Sequence, residues 1–148
     1  MVLFISIKLK KLFEQGRDYP WERPDQCPEC DGCRVWGHGY VPVLFDGFNE
    51  PLLIKRHRCP DCRCVMRFRP KGHFKRFQAS IKTIQACLSG KLKHGQWNPS
   101  ISRSRQRHWL LALIRKIKAY LNDTWKKGLL EGFDRLISQG HIPVSRSI

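Results

Sequence analysis

The sequence predicts an α+β fold, a small antiparallel sheet followed by a helical module. Residues 34 to 69 form short runs rich in Val, Ile, Leu and aromatic side chains, with an Asp46-Gly47 turn between two of them. From Arg76 the apolar spacing changes to the three-and-four rhythm of helices. Two near-duplicate tetrapeptides, Cys27-Pro-Glu-Cys30 and Cys59-Pro-Asp-Cys62, bracket most of the strand-rich region. With 148 residues, 41% hydrophobic and 27% charged, the chain suits one ordinary domain or two small modules, and wholesale disorder is not expected.

The elements follow in order. In an amino-terminal segment, 1–19, Leu3, Phe4, Ile7, Leu9, Leu12 and Phe13 recur at roughly helical spacing between lysines, predicting a short amphipathic helix. The run YPWERPDQCP carries three prolines and reads as an extended lead-in to Cys27. RVWGHGYVPVLFD, PLLIKRHR and CVMRFRP predict a meander of antiparallel strands, and Pro70, Lys71 and Gly72 end a module spanning 20–72.

The second module, 73–140, is expected to be helical. Phe77, Ile81, Ile84 and Leu88 mark a first helix over 76–88, and the polar stretch 89–99 links it to the next. Ser100 or Ser102 caps a long helix over 103–121 with an inward seam of Leu110, Leu113, Ile114, Ile117 and Leu121. Arg105, His108, Arg115 and Lys116 fall on its opposite face. Thr124 is a cap candidate for a last helix from Trp125 to Ile137, closed by Gly140, and 141–148 reads as a loose tail.

Seven cysteines are too irregular for a secreted disulfide scaffold, being odd in number and without an export signal before them. Cys27, Cys30, Cys59 and Cys62 form matched pairs that bring four thiolates to one tetrahedral ion, and four such anions repel one another without a cation. Zinc is the expected metal, in a structural role, because four thiolates close the coordination shell. Rubredoxin-type iron ranks below it, since no acidic electron-transfer surface is visible. Cys33, Cys64, His38 and His57 lie close enough in sequence to substitute as ligands or to form a second partial site. Cys87 sits on an apolar helical pattern and reads as core.

The charge is concentrated. Between Lys55 and Lys118 there are 18 Lys and Arg against the single acidic residue Asp61, whereas the remainder of the chain nets −1 within a total of +16. Such a segment is the footprint of a polyanion partner. No Ser-His-Asp arrangement, phosphate-cradling glycine loop or carboxylate cluster appears, so an enzyme is not expected. The early apolar run, Val2 to Ile7, is too short to span a bilayer, and a cytoplasmic, nucleoid-associated protein is expected.

Arg23-Pro24-Asp25 before CPEC, the run VWGHGY, the basic strand IKRHRCPDC, the RFRP that follows and then a helix resemble the zinc-ribbon amino-terminal module of bacterial insertion-sequence transposases and their small relatives. In those proteins a helix-turn-helix follows the ribbon, and SRSRQRHWL is similar to the end of such a segment. The resemblance covers residues 20–121. It implies DNA binding, whereas the acidic triad and ribonuclease H-like sheet needed for strand transfer have no counterpart after residue 121. The expectation is a recognition module: an accessory protein, a regulator or a remnant.

Double-stranded DNA is the first expected partner. Arg103, Arg105 and Arg107, at the start of the long helix, are candidates for base edges. Lys55, Arg56, Arg58, Arg67, Arg69, Lys75 and Arg76 are candidates for phosphates, joined by Arg115 and Lys116 on the cationic helical face. Trp109 is expected in the core, and for Trp36, Tyr40, Phe45 and Phe68 core packing is expected ahead of base stacking. RNA or single-strand binding is the alternative. A further one is an adaptor whose first and last helices dock a transposase or polymerase subunit.

Overall fold

The computed structural model describes residues 1–146. It is a mixed α+β structure of one four-stranded sheet and four helices, divided into two compact units, Met1–Gln78 and Ala79–Ile148.

The first unit holds the sheet, in the order β1-β4-β3-β2, where β1 is Val2–Ile5, β2 Trp36–Val43, β3 Leu52–Arg58 and β4 Val65–Pro70. The expected antiparallel meander is β2-β3-β4. The amino terminus differs from expectation. Val2 to Ile5 form a strand parallel to β4, in register from Val2 opposite Arg67 to Ile5 opposite Pro70, and only Leu9–Gln15 form a helix, α1. Four consecutive apolar residues, two of them β-branched, suit an edge that β4 would otherwise leave unpaired. Gly16, at φ +56, ends α1, and Leu12 packs with Phe45, Leu52, Ile54 and Phe68.

One irregularity in β2 decides which side chains share a face. Gly37 lies opposite His57 and Tyr40 opposite Lys55, so three steps along β2 match two along β3. The extra residue is accommodated at His38-Gly39, where Gly39 takes φ +70, a left-handed conformation natural to glycine. Even spacing from Trp36 to Tyr40 would put both rings on one face, and the bulge sends them to opposite faces. Phe45 and Phe68 are buried as expected, but Trp36 is 57% exposed.

Beyond Gly72 the chain folds back on this unit, which carries its boundary to Gln78. Phe74 and Phe77 are buried and meet edge-to-face at 5.5 Å. The Arg69 guanidinium donates to the Phe77 carbonyl, and the Asp46 amide donates to the Gln78 carbonyl at 3.0 Å.

The second unit contains α2 (Ile81–His94), α3 (Arg103–Leu121) and α4 (Leu129–Ser138). The first helix starts later than the sequence suggested because Arg76, at φ +69, is not helical, and Ser80 is the cap, its Oγ accepting from the Thr83 amide at 3.1 Å. It also continues through the supposed link as far as His94, ending at Gly95 in the left-handed conformation, with Lys91, Lys93 and His94 favourably placed in its last turn. The bounds of α3 are those expected, with Ser102 as cap. Its buried side chains are Gln106, Trp109, Ala112, Leu113 and Ile117. Gln106 is fully enclosed and satisfied: its Oε1 accepts from the Asn98 amide at 2.9 Å, and its Nε2 donates to the Asn98 and Ile101 carbonyls at 2.8 Å each.

Gly128, not Thr124, precedes α4, and Trp125 lies outside the helix, donating from Nε1 to the Gly128 carbonyl at 2.8 Å. Gly140, at φ +82, closes the end as expected. The tail is not loose where it is described. Lys116 Nζ donates to the carbonyls of Ile142 at 2.6 Å and Val144 at 3.0 Å, and Val144 is buried. Ser147 and Ile148 of the expected tail lie outside the described residues. The segments joining α2 to α3 and α3 to α4 are longer than the three-to-four-residue turn typical of a helix-turn-helix. No helix among the described residues is long and apolar enough to cross a membrane.

Candidate metal centre and cationic surfaces

The two cysteine tetrapeptides fold into matching knuckles. The Cys27 amide donates to the Gly32 carbonyl and the Cys59 amide to the Cys64 carbonyl, both at 2.9 Å. Each chain turns at the residue after its second cysteine, Asp31 at φ +58 and Arg63 at φ +63. The duplication read from four residues therefore extends to six. The two knuckles approach closely at Gly32: a Cβ there would come within 2.6 Å of Asp61 Oδ2 and 3.3 Å of Cys30 Sγ, so the Asp61 carboxylate would have to shift. Asp61 reaches across from the second knuckle, where it is ion-paired with Arg34.

The two knuckles bring the sulfurs of Cys27, Cys30, Cys59 and Cys62 within 4.8 Å of one another. The separations Cys27 to Cys62 and Cys30 to Cys59 are both 3.6 Å. A disulfide needs about 2.05 Å, whereas four sulfurs at about 2.3 Å from a tetrahedral ion lie about 3.8 Å apart. The geometry fits a metal ion. The thiols also titrate as a group. Burial pushes Cys27 up, but the amides of Glu29 and Cys30 and the thiols of Cys62 and Cys59 outweigh it and hold Cys27 down at about 7. At Cys62 the Cys64 amide pulls down, while burial and the other three sulfurs push the thiol up to about 12. One negative charge is welcome in the cluster and four are not, unless a cation joins them.

The remaining cysteines stand apart. Cys33 is exposed and Cys64 half-buried, and neither belongs to the cluster, nor do His38 and His57. His57 is buried against Phe68, with ring centroids 5.0 Å apart. Among the described residues, the buried core around the knuckles contains Val35 and Met66 besides Cys27 and Cys59, with Leu3 and Cys64 packed half-buried against it. An ion bound by four sulfurs would brace knuckles that few buried side chains support.

The expected nucleic-acid residues divide. Arg58, Arg67, Lys75, Arg76, Arg103, Arg107 and Arg115 are exposed. Lys55 and Arg56 are half-buried, with Lys55 Nζ 4.6 Å from the centre of the Tyr40 ring. Arg69 is not a surface cation. It is buried, lies over the Phe45 ring at 5.2 Å, and its pKa is lowered first by burial and then by Arg67. Arg105 folds back over Trp109, 5.0 Å from the ring centre, and Lys116 is engaged by the tail, so neither projects freely from the cationic face expected of α3.

Two groups of arginines break local rules. Arg56 and Arg67 are directly opposed on β3 and β4, an arrangement that costs stability. Arg103, Arg105 and Arg107 begin α3 without an acidic residue in its first turn, although the positive end of a helix dipole disfavours cations. Arg103 and Arg107 are also like charges four apart. Spacing alone could not reveal which strand residues face each other, and the exposure of Trp36 was missed for the same reason; its signal was the glycine pair flanking His38 in WGHGY. No protein-family model, curated protein or solved structure matches the chain.

Proposed function

We propose that this is a zinc-stabilised DNA-binding protein, an accessory or regulatory module of the transposase-related kind. Cys27, Cys30, Cys59 and Cys62 would hold the ion, whose role is structural: four thiolates leave no position for a substrate or a water nucleophile. The observation that carries the reading is the placement of cations where folding alone disfavours them, Arg56 against Arg67 and both Arg103 and Arg107 at the start of α3. A phosphate backbone supplies the missing negative charge at both places. Arg103 and Arg107 at the exposed start of α3 suit the approach of a helix amino end to a groove, while Arg58, Arg67, Lys75 and Arg76 suit phosphates. The resemblance of residues 20–121 to the zinc ribbon and following helix-turn-helix of transposases supports the same partner.

The test is a salt titration of binding to random-sequence duplex DNA, with and without chelator. Neutralising on the order of six phosphates gives a log–log slope near −5. Chelation should weaken binding and lower the melting temperature together. A slope near zero, or an unchanged melt after the metal is stripped, would overturn the reading.

A further inference from the structure

The sheet has a bare, cationic and aromatic face at the end nearest the knuckles. Trp36 on β2 is paired with Arg58 on β3, and Arg58 with Val65 on β4, so these three side chains stand in one row across the sheet. Arg56 lies two residues from Arg58 on the same strand and is paired with Arg67, so it and Arg67 form the adjacent row on the same face. Trp36, Arg58, Val65 and Arg67 are all exposed, and none of the five is acidic. The opposite face at this level, where His57 is paired with Met66, is buried. Further along, the bare face is closed: Arg69, two residues beyond Arg67, is covered by Phe45 and the returning segment with Phe77.

Trp36, at 57%, is the most exposed large hydrophobic residue among those described. The other candidate ring, Tyr40, is taken, with Lys55 at 4.6 Å and Arg17 at 5.6 Å from its centre. Neighbouring strands are about 4.8 Å apart and alternate residues about 6.6–6.8 Å apart along a strand, which sets three guanidinium groups within a short span of one free π face. Cations along a backbone track beside an aromatic surface are the recognition chemistry of unpaired nucleotides.

We infer that this face binds a single-stranded segment of nucleic acid, stacking one unpaired base on Trp36 while Arg56, Arg58 and Arg67 meet the flanking phosphates. The inference rests on the nucleic-acid reading above and adds the class of element that the sheet takes. The bulge at His38-Gly39 is what keeps Trp36 on the arginine face and Tyr40 off it.

The experiment uses the full metal-loaded chain and fluorescence anisotropy on four probes: a single-stranded 12-mer DNA, its RNA equivalent, the same DNA with abasic sites, and a blunt duplex. Trp36→Ala should lose roughly 5- to 150-fold on the base-containing single strands, and less than about twofold on the abasic strand and the duplex. Trp36→Phe should retain most of the affinity. Arg58→Ala should reduce the single-strand salt slope by about 0.7. Unchanged metal content and melting temperature in Trp36→Ala show that the fold is intact, and a preference between the DNA and RNA strands identifies the sugar. Equal binding of abasic and base-containing strands, or an equal effect of Trp36→Ala on every probe, would overturn the inference while leaving nucleic-acid binding in place. Failure of all four probes in dilute buffer would instead remove the function proposed above.

Discussion

Arg56 and Arg67 occupy directly opposed positions on neighbouring strands, with Val2 on the far side of Arg67. Like charges so placed destabilise a sheet by a few tenths of a kcal/mol up to about 1 kcal/mol. Arg67→Ala should therefore leave stability unchanged or raise it slightly, while the duplex salt slope falls by about 0.9. Parallel thermal melts and salt titrations separate the two effects, and a loss of stability without any change in slope would mark Arg67 as purely structural.

Lys116 links α3 to the end of the described chain. Lys116→Met keeps the apolar stem but removes both bonds to the Ile142 and Val144 carbonyls. A loss of about 1.5–3 kcal/mol is expected for a charged donor. Hydrogen exchange over residues 141–146 should accelerate. The salt slope should stay the same, since this ammonium is already engaged.

Gln106 holds the segment before α3 in place through three hydrogen bonds in a fully enclosed site. Gln106→Leu is close in volume and apolar, yet strands the Asn98 amide and the Ile101 carbonyl and leaves the Asn98 carbonyl only its 3.4 Å bond from the Ile101 amide. The expected cost is about 2–3 kcal/mol, read from the urea midpoint. A neutral outcome would mean that these backbone groups find other partners.

His73 gives the first unit a pH dependence. It lies edge-on to Phe45 at 5.1 Å, and burial, reinforced by the Arg69 charge and opposed by Asp46, holds its pKa below the ordinary 6.5. Between the folded pKa and 6.5 the unfolded chain binds the proton more readily. The contribution is thus fully present above about pH 6.5 and is lost as the pH falls towards the folded pKa. His57 is shifted the same way, first by burial and then by Lys55 and Arg23. Between pH 7.5 and 5.5 the melting temperature of the parent should fall further than that of His73→Phe, and parallel curves would count against this account.

The sequence disclosed most where chemistry repeats or periodicity is long. The duplicated knuckles identified four sulfurs that do gather, and nineteen helical residues with a serine cap appeared as α3 at the expected bounds. It disclosed least where tertiary partners decide. Val2 to Ile5 carry a pattern compatible with either a helix or a strand, and the open edge of β4 selects the strand. Phe77 fits the rhythm of α2 but is drawn into the sheet unit, because Arg76 breaks the helical path. Arg69 and Lys116 look like their exposed neighbours in sequence, yet each is claimed by backbone carbonyls that only the folded chain brings near. Charge in a sequence is not charge on a surface.

The extra residue at His38-Gly39 is a matter of parity. Deleting Gly39 would leave three steps from Trp36 to Tyr40 against the three from Arg58 to Lys55, so the indole and the phenol would keep their sides while the strand lost its local bend. Adding a residue beside Gly39, with the bulge still absorbing one, would bring both rings to the same side. A one-residue loss at 38–39 should thus be tolerated better than a one-residue gain.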